Sequence, residues 1–113
     1  MTCMSGAPEL TCVRSAIPAA ERPAHFALAR ELLTECAQER RELPNGYAIR
    51  FPPEAVEAVA RFIANERKCC PFLSFELTLA PESGACWLRR TGPDGAREAI
   101  NAELNQTGLC GCG

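Results

Sequence analysis

Arg41-Glu42-Leu43-Pro44-Asn45-Gly46-Tyr47-Ala48-Ile49-Arg50-Phe51 reads as strand, turn and strand. Asn-Gly is the strongest short hairpin signal, because both residues accept positive φ. A hairpin imposes antiparallel pairing, and a second one is predicted downstream. There Phe75, Leu77 and Leu79 alternate inward, residues 81–84 turn the chain, and Cys86-Trp87-Leu88-Arg89-Arg90 returns.

Helices are expected around these hairpins. Between about Ala19 and Glu39 the apolar positions Phe26, Ala29, Leu32, Leu33 and Cys36 follow helical spacing, with Pro23 tolerable in the first turn. Pro52-Pro53-Glu54 opens a second helix, with Val56, Val59, Ala60 and Ile63 as its apolar stripe. It should stop near Cys69, because Pro71 disfavours helical geometry at Cys70. Gly92-Pro93-Asp94 starts a third, with Ala96, Ile100 and Leu104 on one face and Gly108 at its end. The order helix, hairpin, helix, hairpin, helix predicts an α+β fold: a four-stranded antiparallel sheet from two hairpins, with three helices packed on it. The expected organisation is an N-terminal arm over residues 1–17, one domain over 18–108 and a flexible Cys-x-Cys tail over 109–113. Within the arm, Thr11-Cys12-Val13 suggests a short edge strand. Trp87 and Tyr47 are lone aromatics expected to pack against helices.

Composition narrows the function. The 113 residues carry a formal charge of −2, are 47% hydrophobic and 23% charged, and so describe one ordinary domain with a modest core. There is no basic excess to screen phosphates, which argues against a nucleic-acid partner. No apolar run approaches the ~20 residues of a membrane helix. Met1 to Leu10 lacks the charged and apolar regions of a signal peptide, so the expected compartment is the cytoplasm. With one histidine and no Gly-rich phosphate loop, a hydrolase triad or a nucleotide enzyme has almost no support, and no organic cofactor is expected.

Eight cysteines are the anomaly. A disulfide framework is disfavoured by the absence of an export signal and by the adequate apolar content. Adjacent Cys69 and Cys70 also have Cα atoms ~3.8 Å apart, below the ~4.4 Å at which unstrained disulfides begin. The chain is expected to be mainly reduced. Glu66-Arg67-Lys68-Cys69-Cys70-Pro71-Phe72 is its central feature. Thiolates are soft donors, and two side by side suit Hg(II), Cu(I) or trivalent arsenic better than Zn(II), whose structural sites use pairs two to four residues apart. The helix end raises thiol pKa values, whereas Arg67 and Lys68 favour the thiolate. Pro71 fixes the chain's exit and so the relation between the two sulfurs. Cys110-Gly111-Cys112, flanked by glycine, is a mobile dithiol able to hand an ion to the fixed pair.

The other candidates are weaker. Cys12 is a third ligand candidate and Cys3 incidental. Cys36 and Cys86 read as core, although the second hairpin could bring Cys86 near the pair. His25 reads as a capping or surface residue, and Glu66 as solvated, with proton acceptance from a thiol as its alternative role.

The run Glu66-Arg67-Lys68-Cys69-Cys70-Pro71-Phe72, followed by Phe75-Glu76-Leu77 and Trp87-Leu88-Arg89-Arg90-Thr91-Gly92-Pro93, resembles a family of small, largely uncharacterised bacterial proteins. Their shared pattern is E-R-x-C-C-P-F, a strand, then W-L-R-x-T-G-P. The resemblance spans about residues 20 to 105. It implies a link to heavy-metal, especially mercury, resistance, with Cys69 and Cys70 as the binding pair. The chain lacks the membrane segments of the mercury transporters and the flavin and nucleotide motifs of a mercuric reductase.

The function expected is therefore binding, sequestration or transfer of a soft metal or metalloid ion, with Hg(II) favoured and Cu(I) or As(III) the alternatives. The ligands are Cys69 and Cys70, completed by Cys110 and Cys112 or by Cys12. A thiol-based enzyme, processing organomercurials or arsenicals or exchanging disulfides, is the competing expectation, and an interaction domain with incidental thiols the third. Besides the ion, the partners expected are a second copy of the chain or a metal-handling protein. The expectation requires the two neighbouring sulfurs to be presented together, unoxidised and reachable.

Overall fold

The computed structural model describes residues 12–106. Helix α1 (Arg22–Glu31) continues into a π-helical turn (Leu32–Cys36), followed by strands β1 (Glu39–Leu43) and β2 (Gly46–Phe51). A 3-10 turn (Pro53–Ala55) leads into α2 (Val56–Cys69), then come β3 (Ser74–Leu79), β4 (Cys86–Thr91) and α3 (Ala96–Gln106). The fold is α+β. Its four strands form one antiparallel sheet in the order β1-β2-β4-β3, so the second strand of each hairpin is central.

The first hairpin turns within Pro44-Asn45-Gly46, as the sequence reads, but Gly46 already belongs to the second strand and the turn is not centred on Asn-Gly. Leu43 pairs with Gly46, so the two-residue loop is Pro44-Asn45. Positive φ among non-glycine residues falls instead at Glu82 and Ser83, in the second turn. Gly46 is needed for close approach: a Cβ there would collide with the backbone carbonyl of Arg90 and lie 2.8 Å from the Cα of Thr91. Asn45 has a separate task. Its Nδ2 donates to the Gly92 carbonyl at 2.8 Å, and Gly92 N–H donates back to the Asn45 carbonyl at 3.1 Å, tying the turn to the end of β4.

Strand parity places the core on one face. Tyr47, Ile49 and Phe51 of β2 and Cys86, Leu88 and Arg90 of β4 are buried. Tyr47 meets α3, where its hydroxyl donates to Asn101 Oδ1 at 3.2 Å. Trp87 has the opposite parity; it sits on the other face, with the Arg41 guanidinium 4.7 Å from its ring centre, and not against a helix. Leu79, at the end of edge strand β3, is 57% exposed and does not continue the inward alternation.

The helices differ from expectation mainly in rotation. The buried stripe of α2 is Val59, Phe62, Glu66 and Cys69, whereas Ala60 is exposed. At 100° per residue this turns the inward face roughly a quarter turn from the purely aliphatic stripe. In α1 the buried residues are His25 and Ala29, followed by Leu32 in the π-turn, with Phe26, Leu33 and Cys36 only partly covered. Cys12 and Val13 form no edge strand. Val13 N–H donates to the Cys69 carbonyl at 2.7 Å, and fully buried Ile17 anchors the segment that leads into α1. No helix among the described residues is long and apolar enough to cross a membrane. The tail, Cys3 and Gly108 lie outside the described residues.

Candidate metal centre

Helix α2 ends where Pro71 requires it to. Cys69 keeps helical geometry, and Cys70 leaves it at φ −120° and ψ 75° while its N–H closes the last turn on the Glu66 carbonyl at 2.8 Å. The bend turns both sulfurs towards the segment carrying Cys12. The sulfurs of Cys12, Cys69 and Cys70 all lie within 4.8 Å of one another. The chain thus gathers three soft donors from two segments separated by 58 residues.

Two expectations are corrected here. The cluster is not fully reduced, because Cys12 and Cys70 form a disulfide with Cα atoms 4.5 Å apart. The geometric objection raised by the sequence concerned only a bond between the two neighbours; Cys12, remote in sequence, meets the spacing. Nor is the vicinal pair openly presented. Cys69 and Cys70 are fully buried, and Cys12, partly covered as a residue, is buried with them within the sulfur group.

Behind the sulfurs lies a buried polar network, two members of which, Glu66 and His25, read in the sequence as solvated and as a cap or surface residue. Glu66, His25 and Arg90 are 1%, 3% and 2% exposed. His25 Nε2–H donates to Glu66 Oε1 at 3.0 Å, and Arg90 Nη1 donates to Oε2 at 3.0 Å. Cys70 Sγ is 3.7 Å from the same Oε2, so the reduced thiol has a carboxylate to donate to. Phe62 packs against both partners of Glu66: the His25 imidazole stacks on it with centroids 5.5 Å apart, and the Arg90 guanidinium lies 5.6 Å from its ring centre. His25 Nδ1 is buried without a hydrogen-bond partner among the described residues. His25 is thus neither cap nor surface, and Glu66 is not solvated.

The signal for these residues was present in spacing. Glu66 falls at the third place of Val59-Phe62-Glu66-Cys69, and Arg90 on the strand parity of Cys86 and Leu88. Polar residues at core positions point to partners, because an unpaired buried charge is prohibitively costly. Among the described residues the clustering of donors extends to Cys12 and the vicinal pair; Cys86 and Cys36 stand apart. Cys110 and Cys112 lie outside the described residues.

Those two separate thiols should be sluggish. Burial pushes the Cys86 thiol up. Burial and then the charges of Glu31 and Glu35 do the same at Cys36. Only the thiolate reacts with iodoacetamide, so a raised pKa lowers the rate at neutral pH. In native protein at pH 7.5, Cys36 should label slowly, speeding up about tenfold per pH unit until it ionises. Cys86 should label only on unfolding; peptide mapping after a timed pulse reads both. Rapid labelling of Cys86 in folded protein would mean that its strand opens readily.

In comparisons with known proteins, no family model, no curated protein and no solved structure matches the chain.

Proposed function

We propose that this protein binds a soft metal or metalloid ion through the thiolates of Cys12, Cys69 and Cys70. The observation that carries this reading is the convergence of three sulfurs from separate segments within 4.8 Å. Thiolates select soft ions over the oxygen-seeking magnesium and calcium. An ion ~2.3 Å from each sulfur, the Zn–S distance, spaces the sulfurs roughly 3.8 to 4.0 Å apart. Reaching that geometry requires the Cys12 and Cys70 sulfurs to separate once their bond is broken, and the wider sulfur spacings to close by under about 1 Å.

Three thiolates, with no fourth donor in the group among the described residues, suit Hg(II) or As(III), and the resemblance of the Glu66-to-Phe72 run to mercury-associated proteins favours Hg(II). Cu(I) is the next choice, and Zn(II), which prefers four ligands, ranks below all three. Cys110 and Cys112 act in transfer, passing the ion to or from the buried group, or to a metal-handling partner in the cytoplasm. The test is native mass spectrometry of dithiol-reduced protein titrated with Hg(II), As(III), Cu(I) and Zn(II), with cysteine mapping. One ion per chain on Cys12, Cys69 and Cys70 is expected; saturation only at other thiols would remove the proposal.

A second reading, thiol–disulfide exchange, is favoured by one observation: the Cys69 sulfur lies within 4.8 Å of both sulfurs of the Cys12–Cys70 disulfide. Catalytic turnover of a model disulfide distinguishes it from stoichiometric ion binding.

A further inference from the structure

We propose that the Cys12–Cys70 disulfide is a redox gate on the ion site, so that oxidation and ion loading exclude one another. The inference rests on the ion-binding reading above and adds its regulation. Two of the three sulfurs that would hold the ion are consumed by the S–S bond. A disulfide sulfur is no longer a thiolate donor, so the oxidised protein loses two of the three donors the ion requires.

A disulfide that merely staples the chain would release its ends when cut. Here Cys12 is held beside the pair by other means. Val13 N–H donates to the Cys69 carbonyl at 2.7 Å, and Ile17 is fully buried in the core. Both contacts are independent of the S–S bond, so reduction leaves the Cys12 and Cys70 thiols beside the Cys69 sulfur. The Cys70 thiol so formed has the Glu66 carboxylate 3.7 Å away as a hydrogen-bond acceptor.

Opening requires a two-electron reductant of the dithiol class, and accessibility decides where it attacks. Cys70 has no exposure, whereas Cys12 keeps some as a residue although it is buried within the sulfur group, so the reductant reaches the bond from the Cys12 side as that segment opens. One thiolate of the reductant attacks Cys12 Sγ, forming a mixed disulfide and breaking the Cys12–Cys70 bond. Cys70 leaves and takes up the proton that the attacking thiol had lost. The reductant's second thiol then attacks its own sulfur in the mixed disulfide and passes its proton to the departing Cys12. The reductant ends as a cyclic disulfide; both electrons and both protons end on Cys12 and Cys70. A bound ion blocks the reverse step, because its ligand sulfurs cannot be oxidised to a disulfide while they hold it.

Arsenite is the probe, used on the full chain in three states: oxidised, dithiol-reduced, and reduced then loaded before an oxidant challenge with diamide. Arsenic per chain is read by native mass spectrometry, and both the site and the Cys12–Cys70 bond by peptide mapping. The gate requires loading of the Cys12, Cys69 and Cys70 group in reduced protein and at least tenfold less in oxidised protein. It also requires at least tenfold slower disulfide formation in loaded protein. Equal loading of oxidised protein, or a disulfide that dithiol cuts only after denaturation, overturns the gate and leaves the ion-binding reading standing. Failure of reduced, folded protein to load at this group removes both.

Discussion

Glu66→Ala should destabilise the fold by about 3–5 kcal/mol, the loss found when one partner of a buried ion pair is removed. The carboxylate accepts from His25 on one oxygen and from Arg90 on the other, all three being almost wholly buried. Truncation leaves the Arg90 charge in the core with its Glu66 partner gone, and it also opens a void between α2 and β4. For a domain of this size each kcal/mol shifts Tm by about 4–8 °C, so a fall of more than 10 °C is expected in thermal unfolding. Glu76→Ala is the control. It removes the equally short Arg89–Glu76 pair, at 3.0 Å, where both side chains are exposed. An exposed pair of this kind contributes about 0.2–1 kcal/mol. The contrast isolates burial as the cause. Similar small losses from both variants would show that water reaches Glu66. Replacing Glu66 and Arg90 together by Leu and Met should recover part of the loss, because no uncompensated charge remains.

The second large effect concerns ion affinity. In dithiol-reduced protein, Cys69→Ser and Cys70→Ser should each weaken Hg(II) or arsenite binding at least about a hundredfold, roughly 2.7 kcal/mol. A serine hydroxyl is a hard, largely protonated donor and cannot replace a thiolate towards a soft ion. Cys12→Ser should cost less, because the adjacent pair remains as a two-sulfur site. Cys36→Ser and Cys86→Ser, outside the sulfur group, should leave affinity within about threefold, since a neutral change away from the ligands alters none of the bonds formed. Competition dialysis against a small dithiol measures the series. Equal losses across all five variants would point to non-specific thiol capture.

Much of the architecture was legible because it rests on local chemistry. Alternating apolar residues, Pro-rich turns and the Pro71 stop are short-range signals, and they placed both hairpins and the end of α2. The first turn is not centred on Asn-Gly because Asn45 and Gly46 serve long-range contacts to Gly92 and β4. Those contacts cross from one hairpin to the other and leave no trace in local spacing. The rotation of α1 and α2 was missed for a related reason. Apolar count favours an aliphatic stripe, whereas the observed stripe admits Glu66 because His25 and Arg90 arrive from other elements to bind it.

By itself the sequence determined that the helix ends at Cys70, so that two sulfurs stand at its junction; the proline ring disfavours helical geometry at the residue before it. It also determined the fold class, since two hairpins can be satisfied only by antiparallel pairing. Tertiary structure alone decided which sulfur joins them and what lies beneath. Cys12 reaches Cys70 across 58 residues, and the Glu66 carboxylate is stable inside the core only because two cationic or proton-donating side chains converge on it. Both are contacts between distant segments, fixed by the packing of α1, α2 and β4 and by no property of the residues taken singly.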